Sequence, residues 1–140
     1  MRASIFSTSA EYALCALIHL ARRGVTNTQD LSTETNIPPP YLSKILGALA
    51  RAGIVKGARG LHGGFRLVRR PNEIRLLEII ETFDGPQAQE RCLRQGEHSC
   101  PYAAVCGVND VWEGLRRAFM NSLSDLTLEE LLRTYASNPP

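Results

Sequence analysis

The fold is indicated most clearly by residues 37–71, IPPPYLSKILGALARAGIVKGARGLHGGFRLVRRP. The first half predicts a helix, because prolines suit the first turn of a helix and glycine commonly follows the last. Apolar residues recur there at three- and four-residue steps, as in a buried stripe: Leu42, Ile45, Leu46 and Leu49. The second half predicts a β-hairpin, since a short β-like run, a glycine-rich turn and the alternating FRLVR follow in order.

Two helices are predicted before this stretch. AEYALCALIHLA, residues 10–21, is apolar on nearly every side and predicts a helix buried on several sides. Thr8 and Glu11 have the T-x-x-E spacing of a capping box, which places the helix start there, and Gly24 suits its end. TQDLSTETN, residues 28–36, predicts a short helix. Three helices followed by a basic hairpin are the element order of a winged helix-turn-helix.

The rest of the chain predicts two further segments. A helix in residues 74–85 closes a DNA-binding domain that we assign to residues 1–84, and residues 85–106 form a loop that carries cysteines. Residues 107–140 predict a long amphipathic helix and a short closing helix. The long helix has an apolar stripe at three- and four-residue steps: Val108, Val111, Trp112, Leu115, Phe119 and Leu123. Because one isolated amphipathic helix needs a partner, we predict a homodimer. The fold class is mainly α with a small β-hairpin wing.

The charge of the chain is divided unevenly. The formal net charge is only +2, but residues 1–75 hold 11 Lys/Arg against 4 Asp/Glu, whereas residues 76–140 hold 5 against 10. No acidic residue lies between Glu34 and Glu73, where seven basic residues accumulate: Lys44, Arg51, Lys56, Arg59, Arg66, Arg69 and Arg70. This run indicates a polyanion-binding surface, against the alternative of a merely solvated basic face.

The predicted DNA contacts lie in the third helix and in the hairpin. The second helix of a helix-turn-helix presents its first turns to base edges in the major groove, and here those turns carry Tyr41, Ser43 and Lys44. Tyr41 packed on Ile37 is the structural alternative.

The hairpin adds Arg59 and His62, with Arg59 placed to reach into a minor groove. Gly63 and Gly64 allow a phosphate to approach the backbone, or else simply form a tight turn. The predicted partner is a pseudo-palindromic double-stranded operator.

Three of the four cysteines lie in CLRQGEHSCPYAAVC, residues 92–106. The N-terminus resembles neither a signal peptide nor a membrane span, so we expect a cytoplasmic protein with reduced thiols and no membrane partner. Thiolates suit iron–sulfur clusters, zinc or copper. Gaps of seven and five residues are long for a zinc knuckle, which favours a cluster. His98 keeps a Cys3His zinc site open, and a thiol sensor without any ligand is a further alternative.

The chain resembles the iron–sulfur-sensing winged-helix repressors of the IscR, NsrR and RirA type along nearly its full length. The resemblance rests on EYAL, PPPYLSKIL, RGLHGGFRL and the late three-cysteine loop before a long helix. It implies a homodimer whose Cys92, Cys100 and Cys106 hold an iron–sulfur cluster, with 4Fe–4S favoured over 2Fe–2S. The spacing C-x7-C-x5-C looks closest to the RirA-like, iron-responsive branch, which suggests a repressor that is active with its cluster.

The resemblance leaves the fourth cluster ligand open. IscR-like members keep a histidine where this chain has Asn109, which counts against a two-iron site of that type. Other members are known for a carboxylate in the first helix, donated by the partner subunit, and the aligned residue here is Glu11. Cys15 and His19 follow Glu11 at four-residue steps on the same helix face, and for these two we expect burial in the core.

No nucleophile–base set, P-loop or dinucleotide fingerprint occurs in the sequence. We therefore expect no enzymatic activity and no small-molecule substrate.

Overall fold

The computed structural model describes residues 6–85 and 105–137, except for the side chain of residue 109. These residues fold into six helices and one hairpin. The helices are α1 Thr8–Arg23, α2 Thr28–Thr35, α3 Pro39–Arg51, α4 Leu76–Asp84, α5 Gly107–Asp125 and α6 Leu128–Ser137. The strands are β1 Val55–Ala58 and β2 Gly64–Leu67, and a 3-10 turn occupies Pro71–Glu73. The predicted fold class, mainly α with a hairpin wing, is confirmed. The predicted division into three segments stays a prediction.

Helix α1 is the central element of the fold. It contacts α2, α3, α4, α6 and β2. Ala10, Ala13 and Ala16 are fully buried, and because their side chains are small, the neighbouring helices can approach α1 closely. Leu17 and Leu20 are buried as well, so the prediction of a helix covered on several sides is confirmed.

The start of α1 differs from the prediction by one residue. Ser7 is the N-cap, and its hydroxyl accepts a hydrogen bond from the Ala10 N–H at 3.2 Å. The N–H of Ser7 is donated to Oδ2 of Asp84 at 3.1 Å, whereas in a capping box it would be donated to a glutamate on the same helix. The capping box of Thr8 and Glu11 is therefore wrong, because Ser7 is the N-cap and Thr8 is already the first residue of α1.

The hairpin is fixed to the first half of the domain. β1 and β2 pair antiparallel, with Val55 opposite Leu67 and Ala58 opposite Gly64. Thr26, in the connection between α1 and α2, extends the sheet: its N–H donates to the Phe65 carbonyl at 3.1 Å and its carbonyl accepts from the Phe65 N–H at 2.9 Å. These two hydrogen bonds hold the wing against the helices, in addition to the chain connections at its two ends.

The C-terminal helix α6 joins the same core. The turn between α5 and α6 pairs with the segment before α4, since Leu76 N–H donates to Leu126 O at 3.0 Å and Leu128 N–H donates to Ile74 O at 2.9 Å. Leu128 and Ile74 are both fully buried. Helix α5 is thus held at its C-terminal end by the winged-helix domain.

The apolar stripe of α5 is open over most of its length. Val108, Val111 and Leu115 are 66%, 65% and 60% exposed, and only Leu123 at the far end is buried. Phe119 lies between these two regions, and its ring stacks on Phe6 with centroids 5.9 Å apart. An exposed apolar surface of this kind marks an interaction site.

Candidate nucleic-acid interface and metal-ligand residues

The predicted reading residues lie on the outward face of α3. The opposite side of this helix is buried through Leu42, Ile45, Leu46 and Leu49. Tyr41 is 60% exposed, so it is not buried against Ile37, and Ser43 and Lys44 are also exposed. Prolines at the start of α3 set this geometry, because Pro38 caps the helix and its carbonyl accepts the Tyr41 N–H at 3.0 Å. The first turns of α3 therefore offer a hydroxyl, a phenol and an ammonium to solvent.

The wing tip projects beyond the sheet. Arg59 and His62 are exposed, and Leu61 between them is 97% exposed. The turn is closed by a hydrogen bond from Gly63 N–H to Gly60 O at 2.9 Å. A short, closed turn presents a cation and an imidazole together, which suits contact with a polyanion.

The two glycines after the wing tip have a folding role, as the alternative of a tight turn expected, and they also allow the wing to approach Thr26. A Cβ at Gly63 would lie 2.6 Å from the Ala58 carbonyl oxygen, and a Cβ at Gly64 would lie 2.2 Å from the Thr26 carbonyl oxygen. Both approaches are too short for any side chain, so the hairpin and its attachment to Thr26 require glycine. Contact of these two glycines with DNA stays a prediction.

The basic run is partly neutralised within the chain. Arg69 forms a two-pronged ion pair with Glu78, with Nη1 to Oε2 at 3.2 Å, and Arg70 pairs with Glu73 at 2.8 Å. The expectation that all seven basic residues lack an acidic partner is therefore wrong. Glu78 and Glu73 follow the run in sequence, and in the folded protein they lie beside Arg69 and Arg70. The other five cations of the run have no ion-pair partner among the described residues: Lys44, Arg51, Lys56, Arg59 and Arg66.

Glu11, Cys15 and His19 lie along one outward face of α1. Glu11 and Cys15 are exposed and His19 is half-buried, with its Nδ1 3.0 Å from the Cys15 carbonyl oxygen. The expectation that Cys15 and His19 belong to the core is thus wrong, because α1 turns its alanines inward instead. Although Cys15 is exposed, partial desolvation raises the pKa of its thiol, and the Glu11 carboxylate raises it further.

Cys106 occupies the N-cap position of α5. It is half-buried, and its side chain makes no capping hydrogen bond. The positive end of the helix dipole lies beside its sulfur and favours an anionic ligand there. Cys92, Cys100 and His98 lie outside the described residues, as does the side chain of Asn109. Residues 6–85 and 105–137 contain no group of three or more metal-ligating side chains.

Asp84 is a residue of the site region that sequence reasoning missed. Its Oδ2 caps α1 through Ser7, while its Oδ1 is buried without a hydrogen-bond partner among the described residues. Asp84 therefore joins the end of α4, where the cysteine-bearing residues 85–106 begin, to the first turn of α1. No local pattern indicates this role, because the contact spans 77 positions in sequence.

None of the described helices has the length and apolar character needed to span a bilayer.

Comparison with known proteins identifies relatives along almost the whole chain. A helix-turn-helix type transcriptional regulator of Aquifex aeolicus (strain VF5) is 33% identical over 132 residues, which cover 91% of each protein. The structure of CymR (YrzC), the global cysteine regulator of B. subtilis, superposes with a TM-score of 0.76 at 30% identity, covering 92% of this chain and 96% of that one. T. potens IscR superposes with a TM-score of 0.73 at 24% identity, covering 96% and 90%, and supports the fold alone.

The family model of Rrf2, described as an iron-dependent transcriptional regulator, matches residues 6–134. The relatives are transcriptional regulators and not enzymes. The resemblance to IscR-type regulators is confirmed at the level of the family, while the RirA-like branch stays a prediction. This chain belongs to the Rrf2 family of winged-helix transcriptional regulators.

Proposed function

We propose that this regulator is a cytoplasmic, homodimeric repressor whose affinity for its operator is controlled by an iron–sulfur cluster. The observation that carries the proposal is the segment with Cys92, Cys100 and Cys106, which leads directly into the exposed dimer helix α5 of an Rrf2 chain. Binding of the cluster tightens operator binding in this account, and its loss releases the operator.

The DNA contacts follow from the exposed surfaces of α3 and the wing. Tyr41, Ser43 and Lys44 read base edges in the major groove, because they occupy the first turns of the reading helix and face away from the core. Arg59 and His62 contact the adjacent minor groove or its phosphates from the wing tip, next to the backbone of Gly63 and Gly64. Two copies of this surface in a dimer suit a pseudo-palindromic operator.

Replacing Arg59 with alanine is expected to weaken operator binding and to lower the slope of log K against log salt concentration by about one unit. The physical reason is the loss of one cation that displaces counterions from the DNA. Fluorescence anisotropy at four salt concentrations measures the slope. Arg117→Ala is the charge-matched control, since Arg117 is exposed on α5 beside Glu113. Equal slopes for Arg59→Ala and the wild type would remove Arg59 from the contacts.

The exposed stripe of α5 is the proposed dimer interface. Replacing Leu115 with glutamate is expected to give a folded monomer in analytical ultracentrifugation, because a carboxylate buried in an apolar interface costs several kcal/mol. The control is Asn121→Glu, which adds the same charge at an exposed position of the same helix. Leu115→Glu protein that sediments as a dimer would show that α5 is not the interface.

The thiolates of Cys92, Cys100 and Cys106 suit an iron–sulfur cluster. Thiolates are the preferred ligands of iron–sulfur clusters, and Cys106 at the start of α5 is poised beside the positive end of a helix. When bound, the cluster supplies a centre that responds to iron supply, nitric oxide or oxidants. Asn109 occupies the position where IscR-like regulators keep histidine, which favours a 4Fe–4S over a 2Fe–2S cluster.

Glu11 of the partner subunit is the proposed fourth ligand. Glu11 is exposed on the outward face of α1, and it aligns with the carboxylate that other members of the similar repressors donate from the partner subunit. A carboxylate from the second subunit would tie the cluster to both halves of the dimer. The distance between the two reading helices would then depend on the cluster.

A cluster-free thiol regulator or a zinc protein is the second candidate, favoured by the 30% identity to CymR, a cysteine regulator. Purification without oxygen, followed by assay of iron, acid-labile sulfide and zinc, separates the candidates. The proposal requires a coloured protein with roughly equal iron and sulfide. A colourless protein with stoichiometric zinc, or with no metal, would establish the second candidate instead.

A further inference from the structure

Gly47 lies in the middle of the outward face of α3. Positions 40, 44, 47 and 51 follow one another at steps of four, three and four residues, so they share one side of the helix. That side is opposite the buried leucines and isoleucine of α3. Glycine destabilises the interior of a helix relative to alanine, and Gly47 has no positive φ that would require glycine. Folding therefore gives no reason for glycine at this position.

The side chain of Arg51 lies beside Gly47. A Cβ at position 47 would lie 3.6 Å from Nη1 of Arg51, an ordinary van der Waals distance, so the guanidinium extends back along the helix next to the glycine. Arg51 is exposed and has no ion-pair partner among the described residues. Its charge is thus held close to the helix surface, on the same face as Lys44.

We propose that Arg51, lying across Gly47, is a further operator-contacting residue, and that it binds a backbone phosphate at the wall of the major groove. The inference rests on the proposed operator binding through α3. A phosphate is the ligand because Arg51 ends the helix, whereas the first turns of a reading helix approach the base edges. Because Gly47 has no side chain, the middle of α3 can lie deeper in the major groove while the guanidinium of Arg51 stays beside the helix.

Arg51→Ala tests the contact directly. The probe is a DNA duplex selected by the wild-type protein from random sequences, and the same duplex with single base changes. Affinity should fall roughly tenfold, the salt slope should fall by about one unit, and the loss should be similar on every duplex. Arg51→Lys should keep most of the affinity, because a phosphate also accepts a point charge. Arg133→Ala on α6, where Arg133 pairs with Glu129, controls for net charge.

Gly47→Ala distinguishes a role of Gly47 in operator binding from a role in folding, because stability and operator binding should change in opposite directions. The variant should raise the melting temperature by roughly 3 °C, because alanine favours the helix, and yet weaken operator binding several-fold. The control is Thr134→Ala in α6, an exposed position outside α3 and outside the apolar stripe of α5, where alanine also favours the helix. That control should raise the melting temperature and leave operator binding unchanged.

The outcomes separate this inference from the proposed function. Wild-type protein that selects no duplex would refute operator binding itself. Wild-type protein that binds, with Arg51→Ala equal to Arg133→Ala, would overturn only the assignment of Arg51. A loss for Arg51→Lys as large as for Arg51→Ala would overturn the phosphate contact. Unchanged binding by Gly47→Ala would overturn the role of Gly47.

Discussion

Replacing Cys106 with serine is expected to abolish cluster binding almost completely while the protein remains a folded dimer. Serine is among the best N-cap residues, and Cys106 caps α5 without a side-chain hydrogen bond, so the helix should start at least as well in the variant. A neutral hydroxyl is a far poorer ligand for cluster iron than a thiolate. Iron and sulfide per protomer, visible absorbance and far-ultraviolet circular dichroism measure the two properties separately.

Cys15→Ser is the matched control for this experiment. Cys15 is exposed on α1, far in sequence from the three cysteines of residues 92–106, so it should not hold the cluster. The control should retain the full iron and sulfide content of the wild type. Full cluster content in Cys106→Ser would exclude Cys106 as a ligand. Unfolding of Cys106→Ser with loss of the metal would instead show that the site is structural rather than regulatory.

Gly64→Ala is expected to lower the free energy of unfolding by about 3 kcal/mol, near the upper end for a single substitution. The added Cβ would lie 2.2 Å from the carbonyl oxygen and 2.4 Å from the carbonyl carbon of Thr26. Both obstacles are backbone atoms, so no rotamer change relieves the clash. The wing must move away from Thr26, which breaks the two hydrogen bonds between Thr26 and Phe65. Urea unfolding followed by circular dichroism gives the free energy.

The neighbouring strand offers a control of the same chemistry. A Cβ at Gly57 in β1 would meet only the Gly64 carbonyl oxygen, at an ordinary 3.9 Å. Gly57→Ala should therefore change the free energy of unfolding by less than about 1 kcal/mol. Equal effects of the two substitutions, or a loss below about 1 kcal/mol for Gly64→Ala, would contradict the role assigned to the close approach.

The elements that could be predicted from sequence are those with local causes. Helix α3 and the wing follow from prolines, apolar spacing and glycines that lie within thirty-five consecutive residues. The start of α1 could not be placed in this way, because both serine and threonine are accepted as N-cap residues, and Ser7 and Thr8 are adjacent. The choice is made by Asp84, which lies far away in sequence and accepts the Ser7 N–H.

The candidate site shows the same division between local and distant causes. Tyr41, Ser43 and Lys44 were placed correctly on the outside, because apolar residues mark the inner face of α3. Helix α1 is apolar almost all round, and its sequence could not say that the alanines face the core while Cys15 faces solvent.

The partial neutralisation of the basic run depends on side-chain contacts between residues three and nine positions apart, which a count of charges along the chain does not detect. Arg69 and Arg70 looked unopposed along the chain, but Glu78 and Glu73 reach them in the folded protein. The positive surface offered to DNA is consequently smaller than the sequence suggests. It is concentrated on α3 and the wing, where the remaining cations lack ion-pair partners among the described residues.

The central claim is that the cluster controls operator binding, and one measurement tests it most directly. Operator affinity is measured without oxygen on protein that contains its iron and sulfide, and again after a chelator has removed both. Cys106→Ser protein, taken through the same steps, controls for the treatment. The account predicts that affinity falls at least about tenfold with the loss of the cluster and is restored when the cluster is rebuilt. The same operator affinity with and without iron and sulfide would contradict the account.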